Sequence, residues 1–227
     1  MISIIVPFKN EKESLKTLYA DLLYALEKSG EFEVVFVDDG SDDQGGLVAQ
    51  GLTEADTRVK FFRNTLSFGK GSALALGLKE SRGEKIVFID ADLQDSPAEI
   101  PRFIAGLDSG YDLVNGHRVS RVGNKSAIIY SRAFNWFLRT FLRSPFQDES
   151  CGFKAFRRSV LEKTQFYPDD FRMFPLAVYR AGFKVSEIEI THRPRVFGKP
   201  KFGAFKFLHG IRDVLLFIWR YGLKRKK

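Results

Sequence analysis

The sequence contains a single cysteine, Cys151, among its 227 residues. An intramolecular disulfide framework and a cysteine-based zinc cluster are therefore excluded, and a reducing, cytoplasmic setting is expected. No stretch approaches the roughly 20 consecutive apolar residues that a membrane-spanning helix needs. The amino terminus also lacks the basic region and apolar core of a signal peptide. We therefore expect a protein without a transmembrane segment.

Acidic residues are scarce in one part of the chain, the segment 192–227. This segment contains eleven lysines and arginines but a single acid, Asp213, whereas the whole chain has a net charge of +8. The first 191 residues therefore carry a small net negative charge. A basic tail of this kind is typical of proteins that bind nucleic acid, an anionic membrane surface or a phosphorylated substrate.

Apolar residues are abundant, at 44% of the chain with 23 phenylalanines, so a sizeable core is expected and a disordered chain is excluded. Short continuous apolar runs alternate with segments of helical periodicity. The predicted strands are Ile2–Val6, Glu33–Val37, Val59–Phe62, Lys85–Ile89 and Asp112–Val114. The predicted helices between them cover 11–29, 45–54, 72–81 and 97–107. This alternation indicates an α/β fold with a mostly parallel sheet flanked by helices.

The pattern changes after Val114, where aromatic-rich segments replace the regular alternation. Helices are predicted over Ala127–Arg143 and Phe171–Gly182, and a strand over Val185–Ile190. A last helix is expected over Ala204–Leu223, with Lys206, His209, Asp213 and Arg220 on a narrow polar stripe. The chain shows no internal repeat.

The segment Asp90-Ala91-Asp92 directly follows a predicted strand. In extended backbone, residues i and i+2 point to the same side, so both carboxylates can face one point. Two such oxygens suit Mg²⁺ or Mn²⁺, hard ions that also bind substrate phosphates, and Gln94 can add a neutral oxygen. An Asp-x-Asp pair is also common in surface turns, but the position after a buried strand favours a metal site.

Two more polar clusters follow predicted strands. In Asp38-Asp39-Gly40-Ser41, a carboxylate can accept a hydrogen bond from a nucleobase or ribose, or it can cap the next turn. Both roles can hold, one for each aspartate. Gly69-Lys70-Gly71-Ser72 lacks the spacing of a phosphate loop. It predicts a glycine turn that enters a helix, with Lys70 as a candidate phosphate contact.

Four ordered motifs resemble those of family 2 glycosyltransferases of GT-A fold. They are Ile4–Glu11, Val37–Ser41, Phe68–Ala73 and Ile89–Gln94. The subgroup with the greatest similarity contains dolichyl-phosphate mannose synthases and other polyprenyl-phosphate glycosyltransferases. Later segments match the same subgroup, namely Asn115–Arg118, Asp148–Lys154 and Arg195–Lys201. The resemblance covers nearly the whole chain and implies a Rossmann-like GT-A domain with a C-terminal amphipathic helix.

The resemblance also implies a role for each matching residue. Those around the nucleoside would be Pro7, Lys9, Glu11, Val37 and Asp39. Those at the metal ion, Mg²⁺ or Mn²⁺, and at the donor diphosphate would be Asp90, Ala91, Asp92 and Gln94. Arg118 and Arg132 would contact an acceptor phosphate, while Arg195 and Lys201 would contact phosphates near the reacting centre. The implied catalytic residues are Asp92, Arg118, Arg132, Arg195 and Lys201.

The same resemblance divides the chain into a GT-A domain over 1–203 and a basic amphipathic helix over 204–227. Within the domain, 1–118 would bind the nucleotide-sugar and 119–203 the acceptor. The sequence departs from the subgroup at Pro200, where serine is usual, and in having no transmembrane helices after that motif. Attachment to the cytoplasmic face of a membrane is therefore expected through the C-terminal helix or through a separate membrane-anchor partner.

The implied activity is metal-dependent, inverting transfer of a sugar from GDP-mannose or a UDP-sugar to a polyprenyl or dolichyl phosphate. Such an acceptor is already anionic, so it needs arginines for positioning more than a general base. One alternative is a saccharide hydroxyl acceptor, which requires a base. Asp148 and Glu149 are the candidates for that base, and a solvated loop pair is an equal alternative for them.

A second alternative is a non-enzymatic module that binds a nucleotide or nucleic acid through the basic tail. No nucleic-acid fold signature accompanies the tail, and this hypothesis leaves the placement of Asp90 and Asp92 unexplained. We therefore expect no nucleic-acid partner. The tail itself has three interpretations, namely a helix lying in the membrane interface, a partner or dimer helix, and a terminal helix packed on the body.

Overall fold

The strands of the protein form one sheet that positions several chain segments at a common edge. The computed structural model describes residues 1–119, 125–197 and 206–222, except for the side chains of 125–127, 170 and 206–209. Among these residues the strands are β1 (Ile2–Phe8), β2 (Phe32–Asp38), β3 (Val59–Arg63), β4 (Lys85–Phe88), β5 (Leu113–Arg118), β6 (Lys154–Arg157) and β7 (Val185–Ile190). The described helices are α1 (Lys12–Leu26), α2 (Gly45–Ala55), α3 (Lys70–Glu80), α4 (Ile100–Asp108), α5 (Lys125–Phe141), α6 (Phe174–Arg180) and α7 (Lys206–Tyr221), with 3₁₀ turns over Pro97–Glu99, Arg158–Glu162 and Pro168–Met173.

The strand order within the described sheet is β3-β2-β1-β4-β6-β5-β7. Only β6 runs antiparallel to its neighbours β4 and β5, and the other pairs are parallel. The mostly parallel α/β fold is thereby confirmed. Strand β6 was not predicted, because its antiparallel pairing with β4 and β5 depends on tertiary contacts. It brings Lys154 opposite Phe88 at the carboxyl end of β4.

Two apolar layers cover the faces of the sheet, as the continuous apolar strands predict. One layer contains residues of α1, α2 and α4, and the other contains residues of α3 and α6. Helix α3 lies so close to β1 that a Cβ atom at Gly77 would stand 2.4 Å from Ile5 Cγ2. This close approach fixes the position of Lys70 at the start of α3.

Helix α7 packs on the rest of the chain through a third apolar cluster that includes Leu138 of α5, Leu176 of α6 and Phe217. Two residues of its polar stripe, Asp213 and Arg220, face the body, in contrast to an arrangement in which they meet lipid. Asp213 is fully buried and accepts a hydrogen bond from Arg172 Nη1 at 2.6 Å. The guanidinium of Arg220 lies 3.9 Å from the ring centre of Tyr167. The division of the chain at residue 203 stays a prediction.

Candidate active site

The predicted carboxylate pair lies at the carboxyl end of β4 and is held by two cations. Lys70 Nζ forms an ion pair with Asp90 Oδ1. Arg195 Nη2 donates to Asp92 Oδ2 at 2.7 Å, and Asp92 Oδ1 accepts from the backbone N–H of Gln94 at 3.1 Å. Leu93 adopts a left-handed φ of 61°, a strained conformation that often occurs at functional turns. The structure thus brings Asp90, Asp92 and Arg195 together, and their roles stay predictions.

The two carboxylates differ in their electrostatics. Burial opposes ionisation of Asp90, but the charge and hydrogen bond of Lys70 outweigh it and lower the pKa of this carboxyl. Burial and the neighbouring negative charge of Asp90 raise the pKa of Asp92. Concentrated negative charge at one point attracts a divalent cation.

The donor set fits Mg²⁺ or Mn²⁺ bound together with a ligand. In the described part of the chain, no group of three or more histidine, cysteine, aspartate or glutamate side chains is arranged to hold a metal ion. Mg²⁺, however, is commonly held by one or two carboxylates together with water and substrate phosphates. Asp90 and Asp92 supply such a pair, while the amide nitrogen of Gln94 donates to Arg193 O at 3.1 Å.

Asp38 and Asp39 take different roles at the end of β2. Asp38 Oδ1 accepts from the N–H and the Oγ of Ser41, so it caps the local turn. Asp39 accepts four hydrogen bonds of 2.8–3.0 Å from Asn64 Nδ2, Ser67 Oγ and the N–H groups of Phe68 and Gly69. It therefore fastens the segment 64–69, which leads directly into Lys70. Asn64 and Ser67 carried no sequence signal of this role.

The other residues predicted around a nucleoside lie at the ends of β1 and β2. Pro7 pairs with Val37 across these two strands. The side chain of Val37 is fully buried in the core on the α3 face, so a nucleoside could reach only its backbone. Glu11 is buried, and its Oε1 accepts from Arg195 Nη1 at 2.8 Å, while Lys9 is half-buried nearby. Arg195 thus links Glu11 to Asp92.

Arg118 lies at the carboxyl end of β5, beside a polar pocket of about 380 Å³. Its Nε and Nη2 atoms donate to the two oxygens of Asp148 at 2.7 and 3.1 Å. Arg132 is exposed on α5 and lines the same pocket. Arg139 also lines it and donates to Gln147 Oε1. The pocket therefore presents three guanidinium groups and suits an anionic ligand.

Both base candidates are engaged inside the protein. Asp148 is 1% exposed and holds Arg118 through the paired hydrogen bonds. Glu149 is fully buried and accepts from Ser144 Oγ at 2.6 Å and from the N–H of Leu176 at 2.8 Å. Burial raises the pKa of Glu149 to about 7 and lowers that of the neighbouring Lys154 to about 8. These contacts favour structural roles for both acids.

Asp95 belongs to the site but was not predicted from the sequence. It is 3% exposed, and its Oδ1 has no hydrogen-bond partner within the described residues. Burial raises the pKa of Asp95 to about 7, and the positive charge of Arg118 opposes that rise. The negative charges of Asp90 and Asp92 add to that rise, so Asp95 lies within electrostatic range of both the carboxylate pair and Arg118. Its position three residues after Asp92 was the available signal.

The last two expectations lie partly outside the described residues. Lys201 and Pro200 lie in the segment 198–205, which is outside the described residues, so the role implied for Lys201 stays a prediction. Ala91, which lies between Asp90 and Asp92 in sequence, is buried in the apolar cluster that contains residues of α1 and α4. Among residues 1–119, 125–197 and 206–222, no helix is both long enough and apolar enough to cross a bilayer.

Known sequences resemble this chain over most of its length. The undecaprenyl-phosphate 4-deoxy-4-formamido-L-arabinose transferase of Pectobacterium atrosepticum is 28% identical over 216 residues, covering 94% of this chain and 66% of the relative. The enzyme of that name from Pseudomonas aeruginosa strain LESB58 is 30% identical over 217 residues, covering 95% and 64%. The chain thus spans slightly less than two thirds of the length of these relatives.

Solved structures share the fold. Glucosyl-3-phosphoglycerate synthase from Mycobacterium tuberculosis, in complex with Mn²⁺ and UDP-glucose, superposes with a TM-score of 0.73 at 17% identity. The superposition covers 99% of this chain and 80% of that one. Residues 3–178 match the family described as Glycosyl transferase family 2. The chain therefore belongs to glycosyltransferase family 2, and its curated relatives are polyprenyl-phosphate sugar transferases.

Proposed function

We propose that this protein transfers a sugar from a nucleotide-sugar, GDP-mannose or a UDP-sugar, to a polyprenyl phosphate at the cytoplasmic face of a membrane. One observation carries the proposal. The carboxylate pair Asp90 and Asp92 and the arginine pocket lie at the same edge of the sheet, and Asp95 interacts with both. The names of the relatives, which are undecaprenyl-phosphate sugar transferases, support a lipid phosphate as the acceptor.

The donor would bind between β1, β2 and β4. Asp90 and Asp92 would hold Mg²⁺ or Mn²⁺, with Gln94 as a further oxygen ligand, and the bound ion would neutralise the charge of the leaving diphosphate. The complex of the mycobacterial synthase with Mn²⁺ and UDP-glucose supports this assignment. Pro7, Lys9, Glu11 and the backbone of Val37 would surround the nucleoside.

The acceptor phosphate would bind in the pocket lined by Arg118, Arg132 and Arg139. Its anionic oxygen attacks the anomeric carbon directly, so a C–O bond to the acceptor forms as the C–O bond to the diphosphate breaks, with inversion. The arginines offset the repulsion between two phosphorylated substrates. A general base is not required for a phosphate nucleophile, which agrees with the internal engagement of Asp148 and Glu149.

Contact with the membrane is proposed for α7 and the adjacent α5. Helix α7 exposes Ile211, Leu215 and Trp219, while Asp213 and Arg220 of its polar stripe pack inward. Exposed large apolar side chains of α5 are Ile129, Trp136 and Phe141. Helix α5 also lines the arginine pocket, so a phosphate bound there would keep its lipid tail near this apolar surface. A separate membrane-anchor partner would add to this attachment.

The test offers the purified protein a panel of labelled nucleotide-sugars with Mg²⁺ or Mn²⁺, a short polyprenyl phosphate and a saccharide acceptor. We expect label in the lipid fraction for one donor and none in Asp92→Asn. Transfer to the saccharide alone would contradict the lipid-phosphate acceptor. Flotation with anionic vesicles tests the membrane surface separately, and Leu215→Glu with Trp219→Glu should reduce flotation several-fold, whereas unchanged flotation would remove α7 from the proposal.

A further inference from the structure

Each of the two carboxylates assigned to the metal ion is occupied by a cation of the protein itself. Lys70 Nζ contacts Asp90 Oδ1, and Arg195 Nη2 contacts Asp92 Oδ2 at 2.7 Å. Arg195 also influences Asp90, and Lys70 influences Asp92, so the four groups act as one charge cluster. Lys70 and Arg195 thus supply the same number of positive charges that a divalent ion would supply at this position.

Both cations have a second partner at hand. Arg195 Nη1 donates to Glu11 Oε1 at 2.8 Å, so its guanidinium keeps a contact when Asp92 is taken away. Lys70 Nζ lies 5.8 Å from the ring centre of Phe171. Lys70 directly follows Gly69 in the sequence. Gly69 has a φ of 94°, and its N–H donates a hydrogen bond to Asp39. After release from the carboxylates, Arg195 therefore keeps its hydrogen bond to Glu11, and Lys70 stays near the ring of Phe171.

We infer that Lys70 and Arg195 are exchangeable counter-ions of the metal site. They neutralise Asp90 and Asp92 while no divalent ion is present, and they turn to the donor diphosphate once the ion takes the carboxylates. This inference rests on the proposed function. Lys70 and Arg195, already candidate phosphate contacts, thereby gain a second role as competitors of the metal ion for the two carboxylates.

The exchange has a physical reason. Two partly buried carboxylates that lie close together repel each other unless cations lie beside them. A divalent ion supplies the same two charges, so the cluster stays neutral while Lys70 and Arg195 become available to a diphosphate. Metal and donor then bind cooperatively, because the metal releases the groups that the diphosphate needs.

The inference predicts opposite effects on two affinities when either cation is removed. In Lys70→Met and in Arg195→Met, the affinity for Mn²⁺ alone should increase about fivefold, because a competitor is lost. The affinity for UDP at saturating Mn²⁺ should decrease about tenfold, because a phosphate contact is lost. Electron paramagnetic resonance measures free Mn²⁺ in the first titration, and calorimetry measures UDP binding in the second.

Lys85→Met is the matched control. Lys85 pairs with Asp108 at the opposite end of β4, and its side chain is 24% exposed, as is that of Lys70. Neither affinity should change in this variant. Unchanged or weaker Mn²⁺ binding in both Lys70→Met and Arg195→Met, with the wild-type protein binding Mn²⁺, would overturn the inference. Equal Mn²⁺ binding in the wild type and Asp92→Asn would instead contradict the proposed metal site itself.

Discussion

Glu33 at the amino end of the sheet and Asp95 at its carboxyl end are both buried, but their oxygens are paired to different extents. At the amino end, Glu33 accepts hydrogen bonds of 2.6 Å from Ser3 Oγ and from the N–H of Arg82, and it pairs with Lys60 Nζ at 2.6 Å. At the carboxyl end, Asp95 keeps an oxygen without a hydrogen-bond partner among the described residues. Asp92 likewise depends on one arginine from a distant loop.

The pKa shifts of these carboxyls agree with the difference in their hydrogen bonding. Burial opposes ionisation of Glu33, but Lys60, Ser3 and Arg82 outweigh it and lower the pKa of this carboxyl. Burial instead raises the pKa of Asp92 and Asp95. The charge of Glu33 therefore stabilises the fold, whereas Asp92 and Asp95 carry charge at an energetic cost that a ligand can offset.

The largest expected effect separates activity from stability at the carboxyl end. Asp92→Asn should reduce sugar transfer about a thousandfold, because one of two metal-binding carboxylates is lost. The free energy of unfolding should change by less than about 1 kcal/mol, since the raised pKa of Asp92 shows that its charge is disfavoured in the folded protein. Transfer assays and urea unfolding measure the two quantities. Retention of transfer would contradict the metal assignment.

Glu33→Gln should show the reverse pattern. The substitution leaves Lys60 without its counter-ion and the N–H of Arg82 with a weaker acceptor, so unfolding should become easier by about 3 kcal/mol at pH 7. Because the folded-state pKa of Glu33 is lowered, this loss should shrink as the pH falls below about 4. Urea unfolding at several pH values measures it. Transfer at a temperature well below the unfolding midpoint should stay near the wild-type rate.

Asp95→Asn should stabilise the protein at high pH. The folded-state pKa of Asp95 is raised to about 7, so the wild type loses stability as the pH rises from about 4 to 7 and this carboxyl ionises in the unfolded chain first. The amide removes that loss. We expect a gain of about 2 kcal/mol at pH 8 and little gain at pH 4. Equal effects at both pH values would contradict the assigned ionisation.

The smallest effect is expected for Lys85→Met at the amino end. Asp108, the partner of Lys85, is 57% exposed, so solvent screens this ion pair. The free energy of unfolding should fall by less than about 1 kcal/mol, as measured by urea unfolding in low salt. A loss as large as that of Glu33→Gln would contradict the explanation that solvent exposure makes the Lys85–Asp108 pair weaker than the Lys60–Glu33 pair.

Much of the fold and part of the site were predictable because their signals are local. The apolar runs of β1 to β4 and the polar clusters that end them are continuous in sequence, so the common edge of Asp38 and Asp90 follows from parallel pairing. Strand β6 escaped prediction because its four residues, Lys154–Arg157, pair antiparallel with β4 and β5. That arrangement depends on tertiary contacts.

The remaining site features arise from partners that are far apart along the chain. Asp213 belongs to a polar stripe by spacing, yet it is buried against Arg172, 41 residues away. Arg195 reaches Glu11 across 184 residues. The four hydrogen bonds to Asp39 come from a loop about 25–30 residues further on. Spacing along the sequence carries no information about such pairs.

The carboxyl end of the sheet is arranged for exchangeable ligands, and the amino end is not. Hydrogen–deuterium exchange of the full chain, alone and with Mn²⁺ and UDP, can separate the two ends. We expect slower exchange in 64–70, 89–95 and 193–197, and unchanged exchange in 31–33 and 81–85. Protection confined to the amino end, or no change at the carboxyl end under saturating Mn²⁺ and UDP, would contradict this arrangement.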